Sequence, residues 1–469
     1  MKKSLVLVVV LLLYCKLSAQ YIAEIFEYKP APGQLINLSP FGLPEAANSI
    51  IANINGTMSL GAFGGYVVFR FDKPIENHSG NPYGIDFTIF GNPLVDWSEA
   101  GIVSVMKDLN YNGLPDDTWY ELAGSDYYFS TTHKKYEITY YNPNSDKAAD
   151  VEWIDNFGAN GSIYANYYHN QPYYPNSNLF QNVDNKFYKL TGTLINGSID
   201  TSSASTKSYK RAFGYVDNQF RGYAPFTLPD NPYTPEKENS GGDAFDIDWA
   251  IDTNANYVDL DTIHFIKIHC AMLVNAGGLG EISTEITGAI DVEPDTSING
   301  VLDLIVIKDL PQQIETETFQ LEVFVFHKGR LQTQQNIIWT SNMPEAFIDA
   351  NNLLVISKSG TLTLTATLSE NPAITTSVQT IINLKTTSIK NNADNYEIYL
   401  FPNPATNYLR IDGITNETIS IYNVIGKCVH STDYYNANRD INIKHLPTGL
   451  YFVVLSGEKG ITNLKFIKE

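Results

Sequence analysis

Residues 107–127 read KDLNYNGLPDDTWYELAGSDY and place oxygen donors at regular intervals. Asp108, Asn110 and Asn112 alternate, so their side-chain oxygens converge when the chain curls around an ion. Gly113 supplies a sharp turn, Leu114 offers a backbone carbonyl, and Asp116 follows two residues on. Asp117 or Glu121 must then close the ring. Hard oxygen donors in this pattern select calcium, so calcium is the expected cofactor, in a structural role: packed with carboxylates, the ion has little room for a reactive water. A metal-free turn remains the alternative, because Asp, Asn and Gly favour turns unaided.

The spacing is similar to that of an EF-hand loop, with Gly at the sixth position. It departs at the twelfth, where Trp119 stands in place of the bidentate Glu. The segment therefore reads as a shortened relative, flanked by strands.

Other acids sit in or beside turn-like segments: Glu99, Asp243, Asp246, Asp248, Asp252 and Glu281. A glycan-active hydrolase needs two carboxylates at a defined separation, which sequence cannot supply across strands. The histidines show no zinc spacing, and His264 and His269 lie five apart on one strand-like run. No G-x-S-x-G motif occurs, and the Gly-rich stretches precede no helix, so neither a serine nucleophile nor a phosphate loop is supported. No catalytic residue is assigned, and the enzyme question leans towards no.

Aromatic residues offer a different chemistry. The chain has 30 Tyr, many of them in SIYANYYHNQPYYPNSNLF (162–180). Exposed aromatic faces stack on the C–H faces of sugars while Asn, Asp and Gln bond hydroxyls. Tyr167, Tyr168, Tyr173, Tyr174 and Trp153 are the expected ligand-binding residues, with a packed loop as the alternative.

The elements that must position these groups are strands. Short alternating or β-branched runs recur, among them GGYVVFRF (64–71), YGIDFTIFG (83–91), GIVSVM (101–106), TIHFIKIH (262–269) and TFQLEVFVF (318–326). Turn-formers divide them, and helical periodicity is nearly absent, which predicts an all-β chain of sandwiches. Hydrophobic residues make up 43% of the 469, enough for real cores. Acids outnumber bases 51 to 31, a net charge of −20 that excludes a nucleic-acid backbone as partner.

The N-terminus has the form of a signal peptide, residues 1–19: Lys2 and Lys3, an apolar run from Leu5 to Leu13, and a small-residue exit before Gln20. The run is too short for a transmembrane anchor. Tyr14 before Cys15 is too bulky for a lipoprotein signal. The remaining cysteines, Cys270 and Cys428, lie far apart and predict neither a disulfide nor a thiolate metal site.

Composition divides the mature chain into a jelly-roll-like ligand-binding domain (20–290), a Thr-, Ile- and Leu-rich domain (291–386), a polar linker (387–395) and a final unit (396–469). In the second, Trp339, Ser341, Pro344, Ile348 and Asp349 resemble the pattern of bacterial immunoglobulin-like domains, with Asn352 where Gly is usual. In the last, LFPNPATNYLRI, ISIYNVIGKCV and INIKHLPTGLYFVVL, followed by KFIKE, strongly resemble the type A sorting domain of the type IX secretion system of Bacteroidota-type bacteria. That resemblance implies passage across the outer membrane by the type IX machinery, removal of the domain, and surface attachment or release. The N-terminal phrases, such as LGAFGGYVVFRFD and GGDAFDIDWAID, resemble a family of bacterial cell-surface proteins, some of which accompany nutrient transporters, including those for corrinoids. The combined expectation is an exported cell-surface protein that captures a glycan or other nutrient. A secreted hydrolase, a structural or adhesive protein and a corrinoid-binding accessory protein are the alternatives.

Overall fold

The computed structural model describes residues 21–195, 199–200, 206–220, 228, 242–292, 299–333, 336–384, 398–414, 417–432, 440–457 and 460–469. The signal segment and the 387–395 linker lie outside the described residues. Two compact units form, one ending at Leu384 and one beginning at Lys385.

The first unit is built on a six-stranded antiparallel sheet. Its strands run in the order Ile22–Lys29, Tyr66–Phe71, Phe265–Cys270, Gly101–Met106, Trp119–Leu122 and Ala250–Ile251. The alternation read from sequence sets its faces. Ile268 stands beside Val67 and Val103, and Ile266 beside Phe69 and Val105, so both rows point one way. They meet Phe87, Ile89 and Phe245 of a three-stranded sheet made by Gly242–Phe245, Phe87–Phe90 and Gly288–Asp291, and enclose the main core.

The opposite face carries Tyr66 and His269. Here a four-stranded sheet, Asn160–Ile163, Val151–Asp155, His133–Tyr141 and Phe187–Leu194, forms a second core with Phe63, Tyr140, Tyr173 and Tyr188. The aromatic richness of this region thus goes largely into a third layer. Tyr140 donates its hydroxyl to the Phe63 carbonyl at 2.9 Å, and Tyr188 donates to that of Pro30 at 2.8 Å. Buried phenols need such partners.

Residues 299–384 add further sheets to the same unit. The run expected as one strand at 318–326 is broken: Thr318–Gln320 pairs with Leu353–Ile356, whereas Val323–His327 pairs with Asp303–Ile307. Buried Leu321 marks the change of sheet. Asn352 adopts φ 59° and accepts from the Trp339 indole at 3.1 Å, the turn geometry expected of it in place of Gly. Phe326 and Leu302 enter the main core, and the Trp249 indole donates to the Lys328 carbonyl at 3.1 Å.

The second unit is a small β-sandwich. Its larger sheet runs Cys428–Thr432, Thr418–Asn423, Gly449–Gly457, Gly460–Lys468 around Ile419, Ile421, Val453, Leu455 and Phe466. Gly426 takes φ 76° in the turn between the first two strands of that sheet, where a side chain would be strained.

Candidate functional site

The Asp108–Asp117 loop joins two paired strands, Gly101–Met106 and Trp119–Leu122. Asp108 is buried, and its two carboxylate oxygens accept from the backbone N–H of Asn112 at 3.3 Å and of Gly113 at 2.9 Å. The Asn110 oxygen accepts from Asn112 N–H at 3.0 Å, and that of Asn112 from Leu114 N–H at 2.7 Å. Asp117 closes the ring by accepting from Leu109 N–H at 2.9 Å. Asp116 accepts from the amides of Asn112 at 2.9 Å and Asn110 at 3.0 Å, and these bonds hold its carboxyl below the usual range. Leu114 keeps its carbonyl inside the loop, where it accepts from Asp116 N–H at 2.9 Å. Gly113 takes φ 74° at the turn.

Five of the side chains expected to ligate calcium, Asp108, Asn110, Asn112, Asp116 and Asp117, are therefore gathered in one loop. Glu121 is not among them. It lies in the following strand, accepts from the Thr193 hydroxyl at 2.7 Å, and burial pushes its carboxyl up to about 7. A strand residue past the loop cannot turn back into it, and Asp117 already closes the ring.

The aromatic segment divides into a buried and an exposed part. Tyr173 and Tyr174 are 1% and 4% exposed and belong to the second core. The Tyr173 hydroxyl accepts from Asn166 N–H at 3.1 Å, and the Tyr174 hydroxyl donates to the Asp184 carbonyl at 2.6 Å. These two residues pack and cannot present ring faces to a ligand. Tyr167 and Tyr168 are 91% and 73% exposed, edge to face with centroids 5.9 Å apart. Asn166 caps their turn by accepting from Tyr168 N–H at 2.9 Å and His169 N–H at 3.2 Å. Its amide reaches Gln34, and that of Gln171 reaches the Gln34 carbonyl. Asn37 donates to the carbonyls of Pro172 and Tyr174, both at 2.8 Å. The loop is thus pinned from behind, with two large rings held outward. Trp153 lies elsewhere, over Gly161 of the neighbouring strand, where a Cβ would come 2.6 Å from the indole. Half-buried against the second core, it serves packing.

Most of the remaining acids named from sequence tie down turns. Asp246 accepts from Asp248 N–H at 2.7 Å, and Asp252 accepts from Asn254 N–H at 2.8 Å and Asn256 N–H at 2.9 Å. Buried Glu281 accepts from Gln34 N–H at 2.7 Å. Glu99 is different: it meets Asp217 and Glu285, neither of which stood out in the sequence. Asp217 sits in a loop and Glu285 in a two-residue strand, with no local spacing between them to signal a site.

No helix among the described residues is long and apolar enough to cross a membrane. No curated protein matches the chain. Solved structures with detectable likeness include Sidekick-1 immunoglobulin domains 1-5, at 9% identity over 46% of this chain and 50% of that one, TM-score 0.16. Others are Drosophila OTK extracellular domains 3-5, at 10% identity over 46% and 82%, TM-score 0.14, and a Dscam structure, at 10% over 43% and 57%, TM-score 0.13. The chain thus spans half the length of the Sidekick-1 fragment. At such TM-scores these likenesses carry no argument, and the all-β reading rests on the strands themselves. Residues 399–469 match the secretion system C-terminal sorting domain. This tail is a type IX sorting signal, and it directs the chain to the cell surface or the extracellular space.

Proposed function

We propose that the exported chain is a non-catalytic binding protein that captures a glycan, or a nutrient of similar polyhydroxylated chemistry, on the Tyr167–Tyr168 loop. One observation carries this reading: two adjacent tyrosines stand out from the surface on a loop whose backbone is pinned by Asn166, Asn37, Gln171 and buried Tyr173. Large rings are not left in water at that exposure without a cost, and pre-ordering reduces the entropy lost on binding. The Asp108–Asp117 loop takes up one calcium ion, which stiffens the hairpin of strands Gly101–Met106 and Trp119–Leu122 in the central sheet. The hydrolase alternative is weaker, because the close group of acids, Glu99, Asp217 and Glu285, is withdrawn from solvent.

The test is glycan-array binding by the exported chain, followed by titration of the best ligand. Replacing Tyr167 and Tyr168 together with Ala should weaken affinity by about 1–3 kcal/mol without altering the unfolding transition. A double variant that folds and binds like wild type removes the proposal.

A further inference from the structure

Three segments far apart in the chain bring Glu99, Asp217 and Glu285 into one buried group. One carboxylate oxygen from each lies within 4.8 Å of the others. The backbone builds this deliberately. Glu99 N–H donates to the Asp217 carbonyl at 2.9 Å. The Asp217 carboxylate is aimed by two backbone donors, Asn92 N–H at 2.8 Å on one oxygen and Glu285 N–H at 2.9 Å on the other. Gly91 makes room for it, since a Cβ there would sit 2.3 Å from Asp217 Oδ1. Asp217 itself holds φ 57°, a conformation that costs a non-glycine residue about 1 kcal/mol or more.

Hydroxyls complete the surroundings. Glu285 pairs in register with Ser59, and Ser59 Oγ lies 2.6 Å from Ser283 Oγ. The Glu99 carboxyl and both hydroxyls reach the Glu285 carboxyl, and Ser283 N–H points at Glu99 Oε1 at 3.4 Å.

Charge is the difficulty. The three acids are 8%, 0% and 7% exposed. Among the described residues no Lys, Arg or His is ion-paired with any of them, and buried Arg211 is turned to Asp126 at 3.7 Å. Glu285 Oε1 is buried and receives no fixed N–H or hydroxyl donor, so only a proton shared with Glu99 or a cation can satisfy it. An orphaned buried oxygen costs about 1–3 kcal/mol, and more when charged.

A cation removes both difficulties at once. Calcium holds oxygens at about 2.3–2.6 Å, so any two of its ligands lie no more than about 5 Å apart. The three carboxylates meet that condition, and the serine hydroxyls add neutral oxygens. We infer that Glu99, Asp217 and Glu285 bind a calcium ion inside the β-sandwich, at a site separate from the Asp108 loop. It clamps the start of strand Gly101–Met106 to strand Glu285–Ile286 and to the 217 loop.

The test uses the full exported chain, stripped with a chelator and equilibrated with calcium alone. Metal analysis should find two ions per chain in wild type, one in Glu285→Gln, one in Asp108→Ala and none in the double variant. Terbium loaded into the Asp108→Ala chain should show nearly equal emission lifetimes in H₂O and D₂O, as expected of an ion with few bound waters. An Asp108→Ala chain that binds no ion, or binds terbium with a fully hydrated lifetime, overturns the inference even if Glu285→Gln does not fold. One ion in wild type, lost in Glu285→Gln and kept in Asp108→Ala, supports the buried site and removes the loop site instead.

Discussion

Replacing Asp108 with Ala should destabilise the first unit by an amount that depends on calcium. Without the ion, the variant loses two hydrogen bonds from backbone N–H groups to a carboxylate. Each such bond contributes about 1.5–3 kcal/mol when shielded, but water reaches this loop and satisfies the released donors, so about 1–3 kcal/mol in total is expected. With calcium at about 100 times its dissociation constant, wild type gains a further 2.7 kcal/mol or so from the loop site, and the variant gains nothing there. The gap between the two proteins should therefore widen from about 2 to about 4–5 kcal/mol on adding calcium. The assay is urea unfolding followed by tryptophan fluorescence, with chelator and with calcium. Trp97, Trp119, Trp153, Trp249 and Trp339 are the chain's five tryptophans and all precede the sorting tail, so the signal reports the first unit. Asp252→Ala is the control: Asp252 ties down a turn in the same way, and its gap to wild type should not change with calcium. An Asp108→Ala gap that is equal in chelator and in calcium would refute the reasoning.

Tyr173→Ala should cost about 3–5 kcal/mol of stability, the penalty for emptying a buried aromatic site, while Tyr173→Phe should cost about 1 kcal/mol by losing the bond from Asn166; urea midpoints distinguish the two. Burial, and then the charge of Lys267, push buried His269 down to about 4. Unfolded, it titrates near 6.5, so the unfolded chain binds more protons between those values and stability falls as pH drops through that window. Wild type should lose up to about 1.4 kcal/mol per pH unit there, a loss that His269→Gln should lack in pH-dependent urea unfolding. A chain truncated before residue 399 should remain in the periplasm, as read by fractionation and protease accessibility, and its normal display at the surface would contradict the role of the tail.

The sheet was legible because its signal is local. Alternation in GGYVVFRF and TIHFIKIH predicts which residues face the core, and the registers of Val67, Ile268 and Val103 follow it. TFQLEVFVF misleads because one buried leucine can end a strand in one sheet and begin another without breaking the pattern. The Asp108 loop was legible for the same reason as the strands: five of its ligand-type residues lie within ten positions. Glu121 was misassigned because sequence spacing does not show where pairing resumes. Composition marked the tyrosine segment but could not separate Tyr173 and Tyr174, which face the second core, from Tyr167 and Tyr168, which face water. Glu99 stood out among the acids, but its grouping was invisible, since Asp217 and Glu285 are 68 residues apart and meet only through the fold.

The central claim is that ligand is held on the exposed tyrosines. A crystal structure of the exported chain, soaked with calcium and the best glycan from the array, tests it most directly. The account predicts sugar density stacked on the rings of Tyr167 and Tyr168. Ligand density at any other surface, with those two rings left bare, would contradict it.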